Sequence, residues 1–172
     1  MALSMDQRPS APQRVQAALS AAGVAARIEE FPSSTRTAQE AADAVGTSVG
    51  QIVKSLVFLA GGAPVLALVS GANRLDPARL GALTGLDIGE ADADAVRRAT
   101  GYSIGGVPPT GFPAPIPTFV DRDLLQYDVV WAAAGTPRHV FPIAPRDLVR
   151  ITGGRILELR PPPYPPPEGE GN

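Results

Sequence analysis

Apolar residues recur along this chain with two different spacings, and the two spacings alternate. Residues 12–23, PQRVQAALSAAG, put Val15, Leu19 and Ala22 on one helical face and stop at Gly23. ARIEEF (26–31) reads as a short strand. TRTAQEAADAVG (35–46) carries a capping box, in which Thr37 caps the helix and Glu40 reaches back. The apolar face of that helix is Ala38, Ala41, Ala42 and Val45, and Gly46 ends it. Residues 51–59 and 64–70 predict two strands joined by a GGAP turn, which is a hairpin signal.

DPARLGALTG (76–85) predicts a helix with Pro77 in its first turn, LDIGEA (86–91) a strand, and DADAVRRATG (92–101) another helix closed by Gly101. A loop dense in Gly and Pro follows over 101–117. Beyond it TFVD, DVVWAAAG and HVFPI read as strands, APRDLVRITG as a helix and RILELR as a last strand. Hairpins make antiparallel pairs, so the pattern favours a mixed, largely antiparallel α/β sheet, curled and barrel-like, with helices around it. One domain over 12–160 accommodates these elements. Residues 1–11 read as a flexible polar leader. Residues 161–172, PPPYPPPEGEGN, hold six prolines and predict an extended, disordered tail.

Composition narrows the chemistry. The chain has 172 residues, a net charge of −2, no cysteine and one histidine. Disulfides and thiolate zinc sites are excluded, as is a His-rich metal centre, and no cofactor is called for. The acidic balance argues against a general polyanion-binding surface. No stretch approaches a membrane span and the N-terminus lacks a signal-peptide core, so a cytoplasmic location is expected. Neither a Walker A loop nor a Rossmann fingerprint occurs.

Of 15 basic residues only Lys54 is a lysine, and it lies in the strand segment GQIVKSLVFLAGG. Alternation groups Ile52, Lys54, Leu56 and Phe58 on one face and Val53, Ser55, Val57 and Leu59 on the other, as in a central strand buried on both sides. Either the Lys54 stem snorkels along the sheet, or its ammonium lines a cleft and meets an anionic ligand. The second unusual feature is TGYSIGGVPPTGF. Its glycines permit close backbone approach and its prolines stiffen it, which suits a loop holding the polar end of a small ligand. His139 fits a structural role as readily as a general base. The Arg97–Arg98 pair reads as a solvated face that could touch a phosphate backbone.

Lys54 in QIVKSLVF, followed by TGYSIGGVPPTGF, resembles the YbaK family of aminoacyl-tRNA deacylases, relatives of the editing insertion of bacterial prolyl-tRNA synthetase. The likeness extends over TAQEAADAVGTSVGQIVKSLVF, VSGANRLDPARL and the segment 119–153, and so spans most of residues 13–153. It implies hydrolysis of the ester between a wrong amino acid and the terminal adenosine of a tRNA, most naturally tRNA for proline. It places the family lysine on Lys54 and the family GxxxP loop on Gly105, Gly106, Val107, Pro108 and Pro109. Ser55 and His139 join these as substrate-binding candidates, and Arg74, Arg97, Arg98 and Arg138 as weak phosphate contacts. Ser55 stands where the alanine-editing branch commonly has Asn. A small uncharged side chain is the substrate class implied. The expected partner is the tRNA acceptor end, with a synthetase as a further candidate. The alternative function is a non-catalytic module that binds an aminoacyl or nucleotide ligand in the same pocket.

Overall fold

A computed structural model describes residues 8–162. The proline-rich tail from 163 onward, and residues 1–7 of the leader, lie outside the described residues. Five helices and eight strands follow in the order α1 (Ala11–Ala21), β1 (Glu29–Glu30), α2 (Ala38–Val45), β2 (Val53–Ala60), β3 (Ala63–Ser70), α3 (Pro77–Thr84), β4 (Ile88–Glu90), α4 (Ala93–Thr100), β5 (Thr118–Asp121), β6 (Val130–Ala133), β7 (His139–Ile143), α5 (Pro145–Thr152) and β8 (Arg155–Leu157). Single 3-10 turns sit at Val49–Gln51 and Arg122–Gln126. Short-range chemistry sets the helix ends. Ser10, Thr37, Asp76 and Asp92 each accept a backbone N–H at a helix start. Left-handed glycines 46, 85, 101 and 153 close α2 to α5.

The strands form two sheets, β4-β2-β3-β5-β8 and β1-β7-β6. Four of the six pairings are antiparallel and two, β3–β5 and β5–β8, are parallel. The mixed, mostly antiparallel character follows the predicted pattern. Barrel-like closure stops short of a true barrel, because the two sheets meet only through an isolated bridge between Ile52 and Trp131.

Alternation along β3 separates two cores. Leu66 and Leu68 face a cluster with Val15 and Leu19 of α1, Val96, Val120 and Phe141. Val65, Ala67 and Val69 face a second cluster with Leu80 of α3, Phe119, Leu157 and Leu159. Val53 and Val57 belong to the first side, Leu56 and Phe58 to the second, as the period of two requires. The expectation that β2 is buried on both faces needs correction. Residues 54–57 are only half-buried, because the three-residue β4 covers β2 at Phe58–Ala60 and no further.

Asp121 is fully buried at the end of β5. Its carboxylate accepts the Ser70 N–H (3.0 Å), the Asn73 side-chain amide (2.9 Å) and the Asp123 N–H (3.1 Å). Removing the acceptor leaves the buried Ser70 N–H without a partner and takes one of two acceptors from the Asn73 amide. Asp121→Ala is therefore expected to lower unfolding free energy by about 3 kcal/mol, measured by urea denaturation, with Asp121→Asn losing less.

Candidate functional site

A cavity of about 280 Å³ opens between the start of β2, the start of α2, the strands β6 and β7, and the Gly/Pro loop. Lys54 and Ser55 line it from β2, Gly105 and Val107 from the loop, and His139 from β7. Residues 104, 105 and 107 and residue 54, about fifty positions apart, thus face one hollow. Gly106, Pro108 and Pro109 are buried behind that wall, and Pro109 borders a separate groove on the reverse side. Thr35, Thr37, Trp131 and Thr136 are among the other lining residues. Thr37 reads in the sequence only as a helix cap, and no pattern in the sequence marks Trp131 or Thr136.

The Lys54 ammonium donates to the backbone carbonyl of Asn73. Asn73 is held in turn by its N–H on Ser70 O (2.9 Å) and its amide on Asp121 and Asp123. The amine is neither buried outright nor loose in solvent. Burial pushes its pKa below the ordinary 10.5, the nearby Arg74 guanidinium adds to the fall, and Asp121 partly opposes it. Lys54 and Arg74 thus bring two cations close enough to influence each other on an otherwise acidic chain.

Two constraints place the loop. Gly105 has φ +90°, a conformation that other residues rarely adopt. Gly106 lies against the backbone of the segment before β7, where an added Cβ would come within 2.6 Å of Thr136 Cα and 2.9 Å of Gly135 C. The Tyr102 hydroxyl donates to Gly111 O (2.9 Å) and clips the loop across its width. Arg14 of α1 stacks over the Tyr102 ring at 4.7 Å. The Gly106 N–H is engaged with Ser103 O (3.0 Å). With prolines at 108 and 109, the remaining donors of the GxxxP segment are the N–H groups of Gly105 and Val107.

His139 makes one side-chain hydrogen bond and faces one carboxylate. Nδ1 lies 2.6 Å from the Thr136 hydroxyl, and Nε2 lies 3.8 Å from the Glu30 carboxylate. The ring forms part of the cavity wall. Arg138 is tied to the carbonyls of Phe31 and Pro32 and to Glu30, fastening β1 to β7. Arg97 donates to Ser103 at the loop's outer side (3.1 Å), and Arg98 is exposed on the same helix.

The spacing G-x-S-x-G occurs twice, at 46–50 and 101–105, and each follows a helix instead of forming a strand-to-helix elbow. Ser48 Oγ donates to Gln51 (2.8 Å), and Ser103 Oγ accepts from Arg97. Neither serine is paired with a base.

The lone lysine makes one prediction direct. Protein labelled with 13Cε-lysine has a single such signal, and that signal is expected to titrate below 10.5 and to move upward when inorganic phosphate is added. Titration at or above 10.5 would overturn the dominance of burial and Arg74 over Asp121 at this amine. Gly106→Ala is expected to cost about 1–3 kcal/mol by thermal or urea unfolding, because only backbone can yield to the new methyl group.

Comparison with known proteins agrees with this geometry. The profile of the family described as "Aminoacyl-tRNA editing domain" matches residues 32–151. A solved structure described as a "putative trans-editing enzyme for prolyl tRNA synthetase" superposes with a TM-score of 0.84 at 46% identity, covering 94% of this chain and 100% of that one. A protein of Enterococcus faecalis named "Putative Cys-tRNA(Pro)/Cys-tRNA(Cys) deacylase EbsC" is 27% identical over 125 residues, 72% of this chain and 76% of its own length. A proline–tRNA ligase of Nitratidesulfovibrio vulgaris is 35% identical over 109 residues, which are 62% of this chain but 19% of that enzyme. Fold, cavity and likeness converge, and the chain belongs to the aminoacyl-tRNA editing domain family.

Proposed function

We propose that the chain hydrolyses the ester of a misacylated tRNA in trans, with tRNA for proline carrying a small uncharged wrong amino acid as its substrate. The observation that carries this reading is the shared cavity of Lys54 and the Gly105–Val107 backbone. An aminoacyl ester is already activated, so positioning and charge stabilisation suffice for a useful acceleration. Water attacks the ester carbonyl, assisted by the neighbouring ribose hydroxyl of the substrate. The bond from carbonyl carbon to ribose oxygen breaks, and that oxygen takes the proton. The N–H of Gly105 or Val107 faces the developing oxyanion. Lys54, with Arg74 beside it, holds the terminal phosphate or the ester oxygen. Ala38, Ala41, Ala133 and Val53 give the cavity small apolar walls suited to a short side chain. The relatives named above support the proline-tRNA assignment, and a synthetase is the natural source of the mischarged substrate.

Arg74, Arg97 and Arg98 supply phosphate contacts along the acceptor end, while Arg138 acts through the β1–β7 junction. No helix among the described residues is long and apolar enough to cross a membrane.

The decisive experiment measures release of radiolabelled amino acid from a panel of misacylated tRNAs. Lys54→Met is expected to reduce that release by about 100-fold, the scale of losing one charge-positioning group. The same substitution is not expected to lower the thermal midpoint. A lysine whose folded pKa is depressed destabilises the fold while charged, and that cost fades only as pH rises from the lowered pKa towards 10.5. Wild-type protein that binds aminoacyl-tRNA without releasing amino acid would instead identify a non-catalytic binding module. Each phosphate-contacting arginine replaced by alanine should reduce the salt dependence of tRNA affinity by about 0.7 in log–log slope.

A further inference from the structure

A second cavity, of about 310 Å³, adjoins the Lys54 cleft. The two share Ser55, Leu56, Ile104 and Val107, so a ligand can extend from one into the other around Ser55. Leu56, Phe58, Leu75 and Val96 give the second cavity apolar walls. Ile104 stands at the common lip with 61% of its surface exposed, the most exposed large aliphatic among the described residues.

The floor of this second cavity is a sheet edge with nothing paired to it. Gly71 N donates to Ile52 O, which puts the backbone groups of even-numbered β2 residues on the β3 side. Gly61 N donates to Asp87 O, which puts the odd-numbered ones on the opposite side, towards β4. β4 pairs with β2 only from Phe58 to Ala60, and the bridge to Trp131 lies at Ile52. Between those limits Ser55 points both its N–H and its C=O into the gap. Its Oγ is also buried without a hydrogen-bond partner. Ser55 therefore offers a backbone donor and a backbone acceptor at the junction of two cavities, beside its own buried hydroxyl.

We propose that this second cavity binds the adenine base of the substrate's terminal nucleoside, with the Ser55 edge reading it and Ile104 and Leu56 packing on its faces. The assignment rests on the deacylase reading of the adjoining cleft. The fit is chemical. Adenine carries a ring nitrogen acceptor beside an amino donor, and the adjacent N–H and C=O of Ser55 complement that pair. The dimensions agree as well. An aminoacyl-nucleoside has its amino acid and its base at opposite ends of the ribose, and the two cavities lie on opposite sides of the Ile104 lip. An extended peptide is a poorer occupant, because the five residues 53–57 give only about 17 Å of edge, and alternate residues alone face the gap.

The test has two arms. Wild-type protein is given misacylated tRNA ending in adenosine, or the same tRNA ending in an abasic ribose. Removing the base is expected to raise KM about ten-fold or more, the scale of losing one stacked base. Ala91→Phe fills the second cavity from its half-exposed rim without touching the first. It should raise KM for the adenosine substrate similarly, while leaving hydrolysis of an aminoacyl ester of a simple 1,2-diol unchanged. Independently, adenosine 5′-monophosphate should shift the Ser55 and Val57 amide resonances of the wild type. Equal KM values with and without the base would overturn the assignment. So would amide shifts caused by an extended tripeptide and not by the nucleotide. Failure to hydrolyse any misacylated tRNA would sink the deacylase reading instead, and the nucleotide shifts would still report on the second cavity.

Discussion

The carboxylate of Asp121 organises the Lys54 end of the cleft. Buried at the end of β5, it gathers the last residue of β3, the Asn73 side chain and the 3-10 turn that follows it. Asn73, fixed in this way, offers its carbonyl to Lys54. The amine thus inherits its position from a carboxylate it does not touch. A flexible four-carbon chain would otherwise sample many rotamers, and a positioning role would be diluted among them. The negative charge also restrains the fall in the lysine's proton affinity that burial and Arg74 produce.

Where the cleft lies is a matter of strand lengths. β2 and β3 are eight residues each and pair throughout, whereas β4 has three residues and β6 meets β2 at one bridge. The shortfall leaves part of a central strand uncovered in the middle of the protein. An exposed sheet edge normally invites aggregation. Here the Gly/Pro loop and α4 stand over it and turn the liability into an enclosed, polar-floored space.

Much of this was legible in the sequence, for identifiable reasons. Alternation in 51–59 and 64–70 gave the hairpin and sorted Lys54 from Ser55, since a period of two leaves little choice. Helix ends followed from Thr37, Asp76, Asp92 and their closing glycines. The loop over 101–117 stood out by composition. Lengths were harder. RILELR reads as six strand residues, yet only Arg155–Leu157 pair, and ARIEEF pairs only at Glu29–Glu30. Pairing depends on a partner's reach, which the pattern of one strand does not carry. The lining by Trp131 and Thr136 was invisible for a related reason. Those residues reach the cleft through the meeting of two sheets, a long-range event with no local signature. His139 could be singled out by rarity, but its engagement by Thr136 and Glu30 needed coordinates.

The contact of Gly106 with the backbone of Thr136 has a broader consequence. Main chain rests on main chain there, so the gap between the two jaws of the cleft is set by backbone contact and not by side chains that could change rotamer. An aperture of constant size works as a one-sided sieve: it turns away side chains that are too bulky but has no means of refusing those that are smaller. Discrimination against smaller residues must then come from somewhere other than the shape of the opening, such as which RNA carries them.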